Sequence, residues 1–262
     1  MIVKSFDPAS QRGTSKYKND MKGNNFGDYN YTINNGKNNK HNMEGRRSFY
    51  TFSYDNYWNP DKTGFGDILA LNEHIVSPGS GFDMHYTANV DILLFPLNGE
   101  LSYTDNLGNQ TKIINGQFMI LSTGRGLIHR EMNDSRTEEL KFLQINFEPK
   151  ILNSEPSFHY FSLNSLIKRN QISTMVSPDS NICSKMNQNV YVSMCKYDKW
   201  NLIKYQKRSP ANGVYVFVLE GKVQIFDDVL NAHDGYSIQG GENLSLYSLA
   251  DSKALIIETP MY

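Results

Sequence analysis

The chain has 262 residues, with 26 Lys and Arg against 27 Asp and Glu, a formal charge of -1, and 16 Tyr and 14 Phe. That balance offers no basic face for nucleic acid, and no apolar run approaches the ~20 residues of a membrane helix. The opening MIVKSFDPAS has no apolar signal core, so the expected location is the cytoplasm, with Cys183 and Cys195 as free thiols rather than a disulfide.

Residues 1–13 read as a short strand and a turn. From Thr14 to Met43 the composition shifts to Asn, Gly, Lys and Tyr with few aliphatics. Such a stretch buries too little apolar surface to offset its ordering entropy. It is expected as an insertion or lengthened polar loop, with a binding arm as the second reading. From Phe49 to Pro149, short apolar runs alternate with turn signals at Asn59-Pro60-Asp61, Ser77-Pro78-Gly79, Asn106-Leu107-Gly108-Asn109 and Ile114-Asn115-Gly116. That spacing predicts an all-β sandwich or barrel. Ile92-Leu93-Leu94-Phe95 is continuously apolar, as expected of a strand covered on both faces. The one candidate helix is Phe161–Arg169.

An internal repeat follows. Phe95-Pro96-Leu97-Asn98-Gly99-Glu100-Leu101 lines up with Phe217-Val218-Leu219-Glu220-Gly221-Lys222-Val223, an offset of 122 residues. Asn115-Gly116-Gln117-Phe118 then matches Asp234-Gly235-Tyr236-Ser237 after a slightly shorter hairpin. The chain is therefore expected to be all-β, two β-barrel domains in tandem. The N-terminal segment spans 1–44, the first barrel 45–155, a linker 156–180 and the second barrel 181–262.

Chemistry concentrates between Gly79 and Glu131. Residues two apart on a strand share a face, so His85 pairs with Thr87 and His129 with Glu131. If the two strands lie side by side inside a barrel, two imidazoles and a carboxylate converge, the set favoured by non-haem Fe(II). The bland alternative for a histidine on a strand is a hydrogen-bonded core residue. Asp83 has the parity of His85, although a solvated loop acid is the preferred reading. Asp91 reads as a partner orienting a ligand, or as an acid capping a strand edge. Arg125 and Arg130 read as surface charges, with Arg125 at the cavity mouth as the alternative. His74 and His159 have no partner at useful spacing. The repeat carries His85 and Thr87 onto Lys207 and Ser209, and His129 and Glu131 close to Ser248 and Ala250. None of these makes a ligand set, so any metal is expected in the first barrel.

The same stretch resembles the pirin family, a branch of the cupins. The family's first metal motif, G-x5-H-x-H with an acid four residues later, is met by Gly79, His85 and Asp91, with Thr87 at the second histidine. Its second, G-x-G-x-x-H-x-E, is complete in Gly124, Gly126, His129 and Glu131. Ser48–Glu73, Glu139–Pro149 and Asn212–Val223 fit as well, so the resemblance covers nearly all of Gly45 to Tyr262. It implies two jelly-roll-like cupin barrels, with Fe(II) or another divalent metal on His85, His129 and Glu131, or none because of Thr87. Some members open the ring of flavonols such as quercetin. The implied activity is a 2,3-dioxygenase-type oxidation of a flavonoid-like small molecule, with Glu131 as ligand and proton acceptor. Other members act through protein contacts. The alternatives are therefore a metal-binding or redox-sensing regulator with a protein partner, or a metal-free cupin serving as a binding module.

Overall fold

A computed structural model describes residues 2–17, 45–163, 166–179, 184–186, 188–241 and 243–262. Their regular structure is strand throughout, apart from one 3-10 turn at Ala9–Gln11. Among them, no helix is long and apolar enough to cross a membrane. The strands form two barrels, each a seven-stranded sheet facing a four-stranded one.

In the first barrel the large sheet runs, edge to edge, Ser157–Ser162, Gln117–Ser122, Asp91–Asn98, Leu140–Phe147, Ile68–Val76, Arg46–Tyr50 and Gly13–Tyr17. Its small sheet runs Gly81–Thr87, Leu127–Met132, Glu100–Asp105 and Gln110–Ile114. In the second barrel the large sheet runs Val3–Asp7, Gly235–Gln239, Asn212–Glu220, Ser252–Pro260, Tyr191–Tyr197, Ile172–Ser177 and Ser184–Lys185. The small sheet there is Leu202–Gln206, Asn243–Ser248, Lys222–Ile225 and Asp228–Asn231.

Three apolar cores explain the sequence pattern. Ile92 and Leu94 face the interior of the first barrel, while Leu93 and Phe95 face the second. In the second barrel Val214, Val216 and Val218 fill the interior, and Tyr215, Phe217 and Leu219 meet the first. The two large sheets therefore pack against each other, which is why these strands are apolar on both faces. Phe95 and Phe217, equivalent in the repeat, lie in that shared core and are each 1% exposed. Gly99 and Gly221 follow at φ +79 and +81, the left-handed backbone a tight hairpin needs.

Three expectations need correction. The linker drawn over 156–180 contains two strands: Ser157–Ser162 extends the large sheet of the first barrel, and Ile172–Ser177 that of the second. The former is an edge strand of mostly exposed residues, so it has no burial alternation to read. The helix drawn over Phe161–Arg169 begins inside that strand, because pairing with Gln117–Ser122 overrides local propensity. The N-terminal segment is divided. Val3–Asp7 pairs with Gly235–Gln239 of the second barrel, and Gly13–Tyr17 with Arg46–Tyr50 of the first. Residues 18–43 of the expected insertion, and Cys183, lie outside the described residues, whereas Cys195 is a buried free thiol.

Candidate metal centre

The site is built on the edge strand of the small sheet, Gly81–Thr87, and its neighbour Leu127–Met132. Its entry is the Gly124-Arg125-Gly126 turn. Gly126 has φ +136, and a Cβ there would lie 2.3 Å from the Tyr86 hydroxyl, which donates to the Arg125 carbonyl. Only glycine fits. The strand Leu127–Met132 then alternates, burying Leu127, His129 and Glu131 and turning Arg130 outward. Across the antiparallel ladder His129 lies opposite His85 and Leu127 opposite Thr87. The register slips between His129 and Glu131, so Glu131 lies opposite Phe82. That bulge removes Asp83 from the His85 face. Asp83 is exposed, and only its carbonyl meets the site, by accepting the His85 Nδ1 hydrogen at 2.8 Å.

His85 and His129 have ring centroids 4.3 Å apart. One donor atom each from His85, His129 and Glu131 lies within 4.8 Å of the other two, a grouping found once among the described residues. His129 Nδ1 is 2.7 Å from Glu131 Oε1, and its Nε2 is 3.1 Å from Thr87 Oγ1. A carboxylate only accepts, so Nδ1–H donates to Glu131, while the direction of the Nε2–Thr87 bond follows the protonation of the ring. His129 is 1% and Glu131 5% exposed, whereas His85 is open to solvent. Burial works to raise the Glu131 carboxyl. The charge and hydrogen bond of His129, with His85 further off, outweigh it and hold the group below the usual carboxylate range. With the Nδ1 of His85 engaged, its Nε2 remains for a ligand. Two imidazoles and an ionised carboxylate at this separation fit a first-row divalent cation.

The pirin family model matches residues 34–146, and that of the quercetinase C-terminal cupin domain matches residues 174–259. The chain belongs to the pirin family. The quercetin 2,3-dioxygenase of Escherichia coli strain K12 is 28% identical over 218 residues, spanning 81% of this chain and 91% of its own. Pirin-like protein YhaK of the same strain is 27% identical over the same spans. The bacterial pirin YhhW of Escherichia coli, solved in complex with nickel(II), superposes with a TM-score of 0.83 at 24% identity and covers 100% of both chains. At that identity the likeness shows the fold.

In this pirin the remaining candidates separate cleanly. Among the described residues, Asp91 makes no hydrogen bond to His85, His129 or Glu131. It is buried at the start of its strand and accepts from Gln188 Nε2 at 3.1 Å, which ties the first barrel to the second. Arg125 pairs with Glu155 at the surface, Arg130 is exposed, and His159 sits exposed on the edge strand. Lys207 donates to the Pro210 and Asn212 carbonyls, and Ser248 to that of Ala250, so neither offers a ligand atom.

His74 is the residue that spacing alone passed over. It is fully buried, accepts from Ser48 Oγ at Nδ1 (2.8 Å) and donates from Nε2 to Gln144 Oε1 (3.2 Å). Its ring meets Phe82 edge-on at 4.8 Å, and Phe82 lies opposite Glu131. Burial, then the charge of Arg46, pushes its pKa down to about 3, so it is neutral. Tyr103 also flanks the site, its ring 6.0 Å from that of His129. Burial and the acceptor Asp105 push its phenol well above the ordinary tyrosine range.

Proposed function

We propose that this pirin is a metal-dependent dioxygenase of the quercetin 2,3-dioxygenase type, acting on a flavonol-like small molecule in the first barrel. Fe(II), or another divalent cation, would be held by His85, His129 and Glu131. The observation that carries this reading is the convergence of their three donor atoms within 4.8 Å, with His85 on the solvent side. Relatives named quercetin 2,3-dioxygenase support the substrate class. When bound, the cation supplies Lewis acidity toward the hydroxyl–carbonyl edge of a flavonol and a redox partner for oxygen.

The protein's own groups do the rest. Glu131, kept ionised beneath the surface, accepts the proton of the substrate hydroxyl. Phe82 and Tyr103 wall the buried side and keep bulk water from it. Thr87 stands at the position of the family's second motif histidine. Its hydroxyl, beside His129 Nε2, can hold a water or substrate oxygen there by hydrogen bonding. Incubating iron-loaded protein with quercetin should bleach the flavonol with uptake of oxygen. Glu131→Ala should slow that rate by roughly 100-fold or more. A rate unchanged by this substitution would remove Glu131 from the mechanism.

One observation favours a second reading. Glu131, His129 and Thr87 satisfy one another's hydrogen bonds without a cation. That suits a metal-free cupin acting as a binding module, whose stability a chelator would leave untouched.

A further inference from the structure

A cavity lies where the two barrels meet, lined by none of the residues of the histidine cluster. It encloses about 270 Å³ between Phe95 and the Asn115-Gly116 turn of the first barrel, Leu163 and Ile167 of the connection, and Lys196 and Lys253 of the second barrel. The turn is held in place from both sides. Asn115 Nδ2 donates to the Leu97 carbonyl at 2.8 Å, and the Gly116 carbonyl accepts from the Leu163 amide at 2.7 Å. Phe95 and Leu163, 1% and 3% exposed, give the cleft an apolar floor.

The wall opposite is unusual in its charge. Lys196 and Lys253 are direct cross-strand partners in the antiparallel ladder, so both side chains project from one face. Like charges placed directly opposite repel. Two acids lie nearby, Asp198 and Glu220. Asp198 is engaged by Arg169 and Asn170. Glu220 Oε1 stands 3.7 Å from Lys253 Nζ and is 70% exposed, while Lys253 is 18% exposed. Among the described residues no carboxylate oxygen comes within 4.0 Å of the Lys196 ammonium. Lys253 Nζ also sits 5.8 Å from the centroid of the Phe95 ring, at the junction of charged wall and apolar floor. Burial holds its pKa below the usual lysine range; Glu220 opposes this, and Lys196 adds to it by less than Glu220 takes away.

We propose that this cleft is a binding site for a small organic carboxylate, its apolar body on Phe95, Leu163 and Ile167 and its carboxylate between Lys196 and Lys253. An anion placed there relieves the repulsion that the fold builds into the wall, and the floor excludes a fully hydrated inorganic ion. The site is separate from the histidine cluster and stands whether or not that cluster is a catalytic centre.

Calorimetric titration of the full chain with benzoate and with its neutral isostere benzamide tests this. Benzoate should bind at least tenfold more tightly than benzamide, with the same affinity in the presence of a saturating chelator. Lys253→Met should weaken benzoate by tenfold or more, and Lys253→Arg should keep it. Glu220→Gln, which removes the competing carboxylate, should tighten it. Equal affinities for the two probes would overturn the proposal. So would benzoate binding that survives Lys253→Met unchanged, or that disappears with chelator. Retention in Lys253→Arg separates loss of charge from loss of folding.

Discussion

The two barrels share one framework and differ in what fills it. At the same edge of each small sheet, the first barrel pairs Gly81–Thr87 with Leu127–Met132 and the second pairs Leu202–Gln206 with Asn243–Ser248. In the second, the direct partners Ile203 and Leu246, and Tyr205 and Leu244, are all buried in one apolar core. In the first, the corresponding partners are His85 with His129 and Thr87 with Leu127. Behind them the first barrel buries His74, Asn72 and Asn146 on neighbouring strands with Gln144 half-buried beside them, and neither end of the Asn72 amide has a partner among the described residues. A buried polar group left unsatisfied costs about 1–3 kcal/mol. At this edge the second barrel packs mainly apolar side chains, where the first gathers two imidazoles, a threonine and a carboxylate.

That difference can be broken from either side. The largest expected effect is on metal retention. His129→Ala should weaken divalent-metal affinity by roughly 100-fold or more, beyond what loss of an outer hydrogen-bond partner does, as equilibrium dialysis would register. Leu246→Ala, in the second barrel, should instead lower stability by about 2–5 kcal/mol in urea unfolding while leaving metal content alone. If Leu246→Ala emptied the site, the barrels would not be functionally separate.

The buried histidine sharpens the comparison through pH. The His74 pKa is about 3 in the folded chain against an ordinary 6.5, so the unfolded state binds the proton first. Its contribution to stability is therefore full above pH 6.5 and is lost as pH falls from there toward 3, at up to about 1.4 kcal/mol per pH unit. In His74→Gln the urea midpoint should vary less with pH over that window. An unchanged slope would mean that His74 is not the group responsible. The smallest effect is expected from Thr87→His, which adds an imidazole beside His129 and should tighten metal binding by roughly tenfold.

Much of this was legible in the sequence because burial writes itself into periodicity. The run Ile92–Phe95, its echo at Phe217 and the turn glycines revealed two barrels with a face covered on each side. Strand parity brought His85, Thr87, His129 and Glu131 together before any coordinates did. The bulge that displaces Asp83 was invisible, since an extra residue on one strand leaves no trace in spacing. Spacing along the chain gives His74 no partner, yet Ser48, Gln144 and Phe82 reach it from three other strands. The signal available was its alternation with Asn72 and Val76 on one face of a mostly buried strand. Strand Val3–Asp7 was unreadable as part of the second barrel because its partner Gly235–Gln239 lies at the other end of the chain.

The most direct measurement is the metal content of the native protein, expressed with iron and purified without chelator, beside Thr87→His. Close to one divalent cation per chain in the native protein, lost in His129→Ala, is the result expected if the first barrel is a working metal centre. A native protein that is empty while Thr87→His is loaded would contradict it, and would mark Thr87 as the substitution that retired the site.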